Sequence, residues 1–135
     1  MSNFKYKLPA ILYSLLIFGI SSIPQTKLPR LDILNFDKLN HLIEYTFYAM
    51  TLFLAYSNAK SEKIVKYAGL LTILTGLLFG ITDEIHQIFV PGREFSMLDY
   101  AADTLGILLG VFIYTKFGLA AILKKDLDRQ ISKTT

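Results

Sequence analysis

Four apolar segments separated by short polar stretches dominate the sequence. They cover about residues 8–23, 39–56, 64–90 and 97–117. A helix that crosses a membrane needs roughly 20 mostly apolar residues. The pattern therefore predicts an all-α, polytopic membrane protein with four transmembrane helices in a compact bundle. We expect residues 1–135 to form a single transmembrane domain with short loops and a polar tail at 118–135.

The first two segments are the weaker candidates for membrane spans. The first is short and ends at Pro24, and the second has polar residues crowded at its start. The second segment qualifies only if those polar residues face other helices. Lys5 and Lys7 precede the first segment as in a signal peptide. However, no obvious soluble domain follows, so we expect a retained helix.

The composition argues against a nucleic-acid-binding protein and excludes any site that depends on cysteine. Hydrophobic residues make up 53% of the chain, the net charge is only +3, and there is no cysteine. The basic residues form no continuous stripe, which argues against nucleic acid as a partner. The lack of cysteine excludes a disulfide, a thiolate metal site and a cysteine nucleophile.

The distribution of basic residues predicts the orientation, because cytoplasmic loops collect Lys and Arg. With the N-terminus inside, ten of the fourteen basic residues are cytoplasmic and four are outside. The inner ten are Lys5, Lys7, Lys60, Lys63, Lys66, Lys116, Lys124, Lys125, Arg129 and Lys133, and the outer four are Lys27, Arg30, Lys38 and Arg93. We therefore expect a multi-pass protein of the plasma membrane with both termini in the cytoplasm.

Most acidic residues and both histidines lie at the opposite, extracytoplasmic end. Eight of the eleven acids fall there, namely Asp32, Asp37, Glu44, Asp83, Glu84, Glu94, Asp99 and Asp103. His41 and His86 accompany them. Ionisable groups inside membrane spans are costly and usually mark a functional site.

Helical spacing places these polar residues on shared faces. The aligned sets are Asp37, His41, Glu44, Tyr45 and Tyr48 on the second segment, Gly76, Gly80, Asp83 and Gln87 on the third, and Asp99, Asp103, Gly106 and Gly110 on the fourth. The glycines predict close contacts between helices in the inner half. The acids predict a polar cavity in the outer half.

The loop after the third segment contains its own signals. Pro91 and Gly92 suit the two central positions of a type II turn. Such a turn is expected to bring Arg93 over the polar cavity. Ser96 is a candidate N-cap of the last helix, with Asp99 three residues later in a capping-box relation.

Three segments of the chain together resemble the VanZ-like family. They are D-K-L-N-H-L-I-E-Y from Asp37, T-D-E-I-H-Q-I-F-V-P-G-R-E-F-S-M-L-D from Thr82, and D-T-L-G-I-L-L-G from Asp103. The short I-S-S-I-P from Ile20 also fits. The resemblance implies a small multi-helix membrane protein, and the family's namesake is linked to resistance to teicoplanin, a lipid-tailed glycopeptide antibiotic.

The resemblance also implies a set of polar positions in this chain. They are Asp37, Lys38, His41, Tyr45, Asp83, Glu84, His86, Gln87, Arg93 and Asp99. One position departs from the family pattern, because Asp103 stands where the family usually has Asn.

These observations favour a polar site that binds or acts on an outer-leaflet lipid, a lipid-linked cell-envelope molecule or a lipoglycopeptide. Two histidines and several acids supply acid–base capacity, but whether the protein is an enzyme stays open. The expected reactive residues are His41, Glu44, Asp83 and His86. Lys38 and Arg93 are expected to hold an anionic head group. The remaining expected binding residues are Asp37, Tyr45, Glu84, Gln87, Asp99 and Asp103.

Two other interpretations stay open at this stage. The first is a metal site formed by His41, Glu44, Asp83 and His86, since each helix carries a carboxylate–histidine pair three residues apart. The second is a structural protein whose charges pair to hold the helices together. The sequence identifies no cofactor. Partners are expected among membrane lipids or lipid-linked molecules, and a homo-oligomer is possible.

Overall fold

The structure, a computed structural model, describes residues 4–27 and 36–134, and it describes the side chains up to residue 118. Five helices occur in these ranges, and no strand is found in them. They are α1 (Phe4–Ser21), α2 (Phe36–Ser57), the short α3 (Glu62–Lys66), α4 (Ala68–Gln87) and α5 (Met97–Thr134). A 3-10 turn at Gln25–Lys27 follows α1.

Helix α2 is the central element, and it packs against α1, α4 and α5. It runs parallel to α5, because contacts progress together from Lys38–Asp99 to Phe53–Tyr114. It runs antiparallel to α4, because Tyr48 contacts Phe79 and Tyr56 contacts Thr75. One end of the bundle therefore gathers the start of α2, the end of α4 and the start of α5.

Three of the helices are long and apolar enough to cross a membrane: Phe4–Ser21, Ala68–Gln87 and the part of α5 from Met97 to Gly118. The prediction of four spans is therefore supported only in part. Helix α2 has 22 residues, which is long enough, but the polar residues in its first half lower its hydropathy below that of the others.

The helix boundaries differ from the predicted ones in two places. The segment expected as one helix over 64–90 is divided at Tyr67, which has a non-helical backbone between α3 and α4, and α4 ends at Gln87. The last helix does not end near 117 but continues to Thr134. No proline interrupts this region, and Ala, Leu, Lys, Arg and Gln all favour a helix.

The core is formed by small, aromatic and branched side chains in the middle of the bundle. They are Ala10, Ile17, Tyr45, Tyr48, Ala49, Leu52 and Ile107. The predicted glycine contacts are present, and Gly106 and Gly110 of α5 lie directly against the backbone of α2 at Leu42 and Thr46. No Cβ fits at either glycine, so the absence of side chains sets the distance between α2 and α5.

The outer surface of the bundle is apolar. Exposed residues include Leu12 and Leu15 on α1, Leu74 and Leu78 on α4, and Leu105 on α5. A surface of this kind suits lipid as the solvent. Among the charges used to predict orientation, Arg30 and Asp32 lie outside the described residues, and so do the side chains of Lys124, Lys125, Arg129 and Lys133.

Candidate functional site

The polar side chains meet at one end of the bundle in two adjacent groups. We define the α2–α5 cluster as Lys38, His41, Glu84, Asp99 and Asp103, and the α1–α4 cluster as Ser21, Asp83, His86, Gln87 and Arg93. The predicted convergence of the three polar stripes is therefore present. However, the histidines lie in different clusters.

His41 is the centre of the α2–α5 cluster. Its Nδ1 lies 2.9 Å from Oδ1 of Asp103, and the Asp103 side chain is completely buried. One turn earlier, the ammonium of Lys38 lies 3.0 Å from Oδ1 of Asp99. These two ion pairs join the beginnings of the parallel helices α2 and α5.

Glu84 brings α4 into the same cluster. Its side chain is fully buried, and Oε2 accepts a hydrogen bond of 2.8 Å from the backbone N–H of Ser96. The hydroxyl of Ser96 in turn accepts a hydrogen bond from the N–H of Asp99, so the predicted N-cap of α5 is confirmed. Oε1 of Glu84 has no hydrogen-bond partner in the described part of the chain.

Asp83 is the buried acid of the α1–α4 cluster. Its Oδ2 accepts hydrogen bonds from the Ser21 hydroxyl at 2.7 Å and from the Gln87 amide at 3.1 Å. Its Oδ1 is buried without a partner among the described residues. Asp83 thus links the end of α1 to the end of α4 and keeps one acceptor unsatisfied.

His86 faces α1, and its contacts lie outside the α2–α5 cluster. Its Nε2 lies 3.0 Å from the hydroxyl of Ser22, and its ring stacks on Phe18 with the ring centroids 4.3 Å apart. The predicted group of four reactive residues is therefore divided, with His41 in the α2–α5 cluster, Asp83 and His86 in the α1–α4 cluster, and Glu44 in neither.

Arg93 binds the end of α1. The turn that positions it is present as predicted, with φ of 79° at Gly92 and a 3.0 Å hydrogen bond from Arg93 N–H to Val90 C=O. The guanidinium donates to the backbone carbonyls of Ile20 and Ile23 and to the Gln87 side chain. The Ile20 carbonyl belongs to the negative end of the α1 dipole, which a cation stabilises.

Glu44 and Tyr45 lie on α2 behind His41. The half-buried Glu44 carboxylate makes no hydrogen bond or ion pair within the described part of the chain, yet it lies within electrostatic reach of His41, Asp83 and Arg93. It therefore belongs to neither cluster and faces both. Tyr45 is fully buried and packs edge-on against Tyr48, and its hydroxyl has no hydrogen-bond partner among the described residues.

Asp37 and Lys38 form the rim of the site, ahead of the apolar part of α2. Asp37 is exposed and pairs with Lys38. The hydrogen bond from Lys38 lowers the pKa of Asp37, and the same bond raises the pKa of Lys38. Both groups are therefore charged at neutral pH.

One set of potential metal ligands is compact in this part of the chain. One ligand atom each from His41, Glu84 and Asp99 lies within 4.8 Å of the others. The set expected from helix spacing, with His41, Glu44, Asp83 and His86, does not form such a group among the described residues. The spacing of residues along one helix could not predict Glu84 as a metal ligand, because the other two ligands of the set lie on two other helices.

The VanZ/LLP1 family model matches residues 2–121. The chain belongs to the VanZ/LLP1 family. No curated protein and no solved structure matches it. With three apolar helices that can cross a bilayer, this VanZ/LLP1 member is a multi-pass membrane protein.

The contribution of α1 is what the sequence analysis missed. Ser21, Ser22 and Phe18 contact the α4 residues Asp83 and His86, but none of them was expected in the site. The signal was the I-S-S-I-P segment, whose two serines are unusual at the end of an apolar run. The Ser21 hydroxyl bonds to the buried Asp83, and the Ser22 hydroxyl contacts the partly exposed His86.

Proposed function

We propose that this VanZ/LLP1 protein crosses the plasma membrane four times and uses its extracytoplasmic polar end to hold the head group of a lipid-anchored molecule. The candidates are an outer-leaflet lipid, a lipid-linked cell-envelope molecule or a lipoglycopeptide such as teicoplanin. The proposal leaves open whether the bound molecule is also transformed.

The outward face of α2 supports a fourth span. Leu39, Ile43 and Phe47 follow one another at four-residue intervals and are about half exposed. Lys38 and His41 of α2 instead contact Asp99 and Asp103 of α5. The helix is about 33 Å long at 1.5 Å per residue, close to the thickness of a bilayer core.

The positions of the basic residues support the orientation. Lys5 and Lys7 at the start of α1 lie at the end of the bundle that also holds α3, with Lys63 and Lys66. The acidic clusters lie at the other end. The positive-inside rule then assigns α3 and both termini to the cytoplasm.

The observation that carries the proposal is a set of buried carboxylate oxygens without donors. Asp83 Oδ1, Glu84 Oε1 and Asp103 Oδ2 are all buried and unpartnered within the described residues. A buried acceptor that stays unsatisfied costs about 1–3 kcal/mol. Three such acceptors at one end of a membrane bundle favour a ligand that donates hydrogen bonds.

Lys38 and Arg93, the cations of the site, already bind groups of the protein itself. This changes the kind of head group that we expect the site to hold. Lys38 pairs with Asp37 and Asp99, and Arg93 binds the end of α1. A role for them in holding an anionic head group is therefore less favoured than recognition of amine or hydroxyl groups by the carboxylates. Head groups of this kind include ethanolamine, glycerol and sugars.

Glu44 offers the sharpest test, because its carboxylate faces both clusters without a bond to either. We would titrate the detergent-solubilised protein, followed by native mass spectrometry, with phosphatidylethanolamine and phosphatidylcholine that have identical acyl chains. The head-group nitrogen of phosphatidylethanolamine carries hydrogen-bond donors, whereas that of phosphatidylcholine carries none. We expect preferential binding of phosphatidylethanolamine by the wild type and loss of that preference in Glu44→Gln.

Glu62→Gln is the matched control, since Glu62 is an exposed acid in the first turn of α3 at the opposite end. It should bind lipid like the wild type. Phosphatidylglycerol and teicoplanin serve as hydroxyl-bearing probes. If none of these molecules binds in preference to phosphatidylcholine, or if Glu44→Gln behaves like the wild type, the carboxylates serve only as scaffold and the proposal is wrong.

A further inference from the structure

From the compact set of His41, Glu84 and Asp99 we infer a binding site for a divalent transition-metal ion, with these three residues as the protein ligands. They come from α2, α4 and α5, and one ligand atom of each lies within 4.8 Å of the others. The inference goes beyond the proposed lipid binding, because it concerns an ion. The two proposals share Glu84, whose Oε1 is one of the unpartnered carboxylate oxygens, but Glu44, which the lipid test changes, is not a metal ligand.

The hydrogen bond between His41 and Asp103 prepares the imidazole for a metal. Asp103 Oδ1 accepts the hydrogen bond from Nδ1 at 2.9 Å. Nε2 takes no part in this bond, so it would act as the metal ligand after releasing its proton. Histidine ligands of metal ions commonly donate their other N–H to a carboxylate, which fixes the ring and raises its basicity. Asp103 would therefore act as a positioning residue and not as a ligand.

Glu84 is the fully buried member of the ligand set. Its side chain is completely buried, and Oε1 lacks any donor in the described ranges, while Oε2 is held by the backbone of Ser96. A buried carboxylate needs a cation or donors to offset its desolvation. A metal ion between Glu84, His41 and Asp99 supplies that cation.

The donor types indicate the class of ion. One imidazole nitrogen and two carboxylates suit zinc, manganese or iron, and three protein ligands leave a position open for water or substrate. Calcium and magnesium prefer oxygen ligands alone. The ion can enter from the polar end, because the His41 and Asp99 side chains keep 13% and 14% of their surface exposed.

Lys38 allows a second, independent test of the metal site. Its ammonium lies 3.0 Å from Asp99, so it supplies positive charge next to the ligand set when no metal is bound. A like charge at this distance opposes the binding of a cation. Lys38→Met should therefore bind the metal more tightly than the wild type.

The test is equilibrium dialysis of the full-length protein in detergent, freed of its purification tag and stripped with a chelator, against zinc alone. We expect about one zinc ion per chain, not displaced by excess calcium. Glu84→Gln and Asp99→Asn should lose this binding, and Asp103→Asn should weaken it by about 10–100-fold. Glu94→Gln, which changes an exposed acid outside the cluster, should bind like the wild type.

Size-exclusion profiles and thermal unfolding check that each variant is folded. If Glu84→Gln does not fold, Asp99→Asn decides, because Asp99 is only half-buried. The inference is overturned if the stripped wild type takes up no zinc, or if Asp99→Asn takes it up as the wild type does. Glu44→Gln should keep its zinc while losing lipid preference, so the two proposals fail separately.

Discussion

At the scale of single residues, the pair formed by His41 and Asp103 is the most consequential contact of the site. Asp103 is completely buried, and its bond to His41 is the hydrogen bond that the described residues provide for its carboxylate. Removal of one partner of a buried ion pair leaves an uncompensated charge. His41 is therefore structurally important in this chain, because it is the partner that compensates the buried Asp103.

We therefore expect His41→Gln to lower the free energy of unfolding by about 3–5 kcal/mol. Asp103→Asn should cost far less, because a neutral amide can still accept the hydrogen bond from His41. The double variant should recover most of the loss. Unfolding in mixed detergent micelles measures all three, and equal losses in the two single variants would contradict this account.

At the scale of elements, the parallel helices α2 and α5 are joined by ion pairs at one end and by glycine contacts below. Gly106 faces the backbone of Leu42 and Thr46 with no room for a Cβ, whereas Gly118 of the same helix has nothing within 4 Å. The two glycines provide a matched pair of sites for the same substitution.

Gly106→Ala should destabilise the bundle by about 1–3 kcal/mol, because an added methyl group forces the helices apart. Gly118→Ala should be neutral or stabilising by up to about 1 kcal/mol, since alanine favours a helix. Thermal unfolding monitored by circular dichroism distinguishes them. Similar behaviour of both variants would mean that the close contact does not limit stability.

Much of this element structure was predictable because it depends on local chemistry. The N-cap at Ser96, the positive φ at Gly92 and the shared polar faces follow from neighbours within a few residues. The break at Tyr67 was not predictable, because a single non-helical residue leaves the hydrophobic pattern almost unchanged.

The partners of long polar side chains were also beyond the reach of the sequence. Arg93 was expected over the cavity but bonds to the end of α1, and His86 was expected in one reactive group with His41 but stacks on Phe18. Helical spacing gives the face of a residue but not the rotation of the neighbouring helix. The packing of the helices then decides which of several nearby groups a long polar side chain contacts.

At the scale of the whole molecule, the number of spans decides which loops lie outside the cell. Helices α1, α4 and α5 meet the criteria for spans, and α2 does not. A cysteine-free chain allows the question to be settled with single cysteines at Ser2, Ser61 and Glu94. An impermeant thiol reagent on intact cells reports which of these sites lie outside.

Four spans with the N-terminus inside predict labelling at position 94 and none at positions 2 and 61. If α2 stays outside the bilayer, position 61 is labelled and position 94 is not. Four spans in the opposite orientation give labelling at positions 2 and 61. Each pattern is distinct, so any result other than the first overturns the proposed topology.

The dependence of α2 on its neighbours also has a consequence for biogenesis. Its polar residues find their partners at Glu84, Asp99 and Asp103, all of which are synthesised after α2 itself. During translation α2 would therefore face the bilayer with His41 uncompensated, at a cost of several kcal/mol. Stable insertion of α2 would have to wait for α5, which makes completion of this protein in the membrane a late and cooperative step.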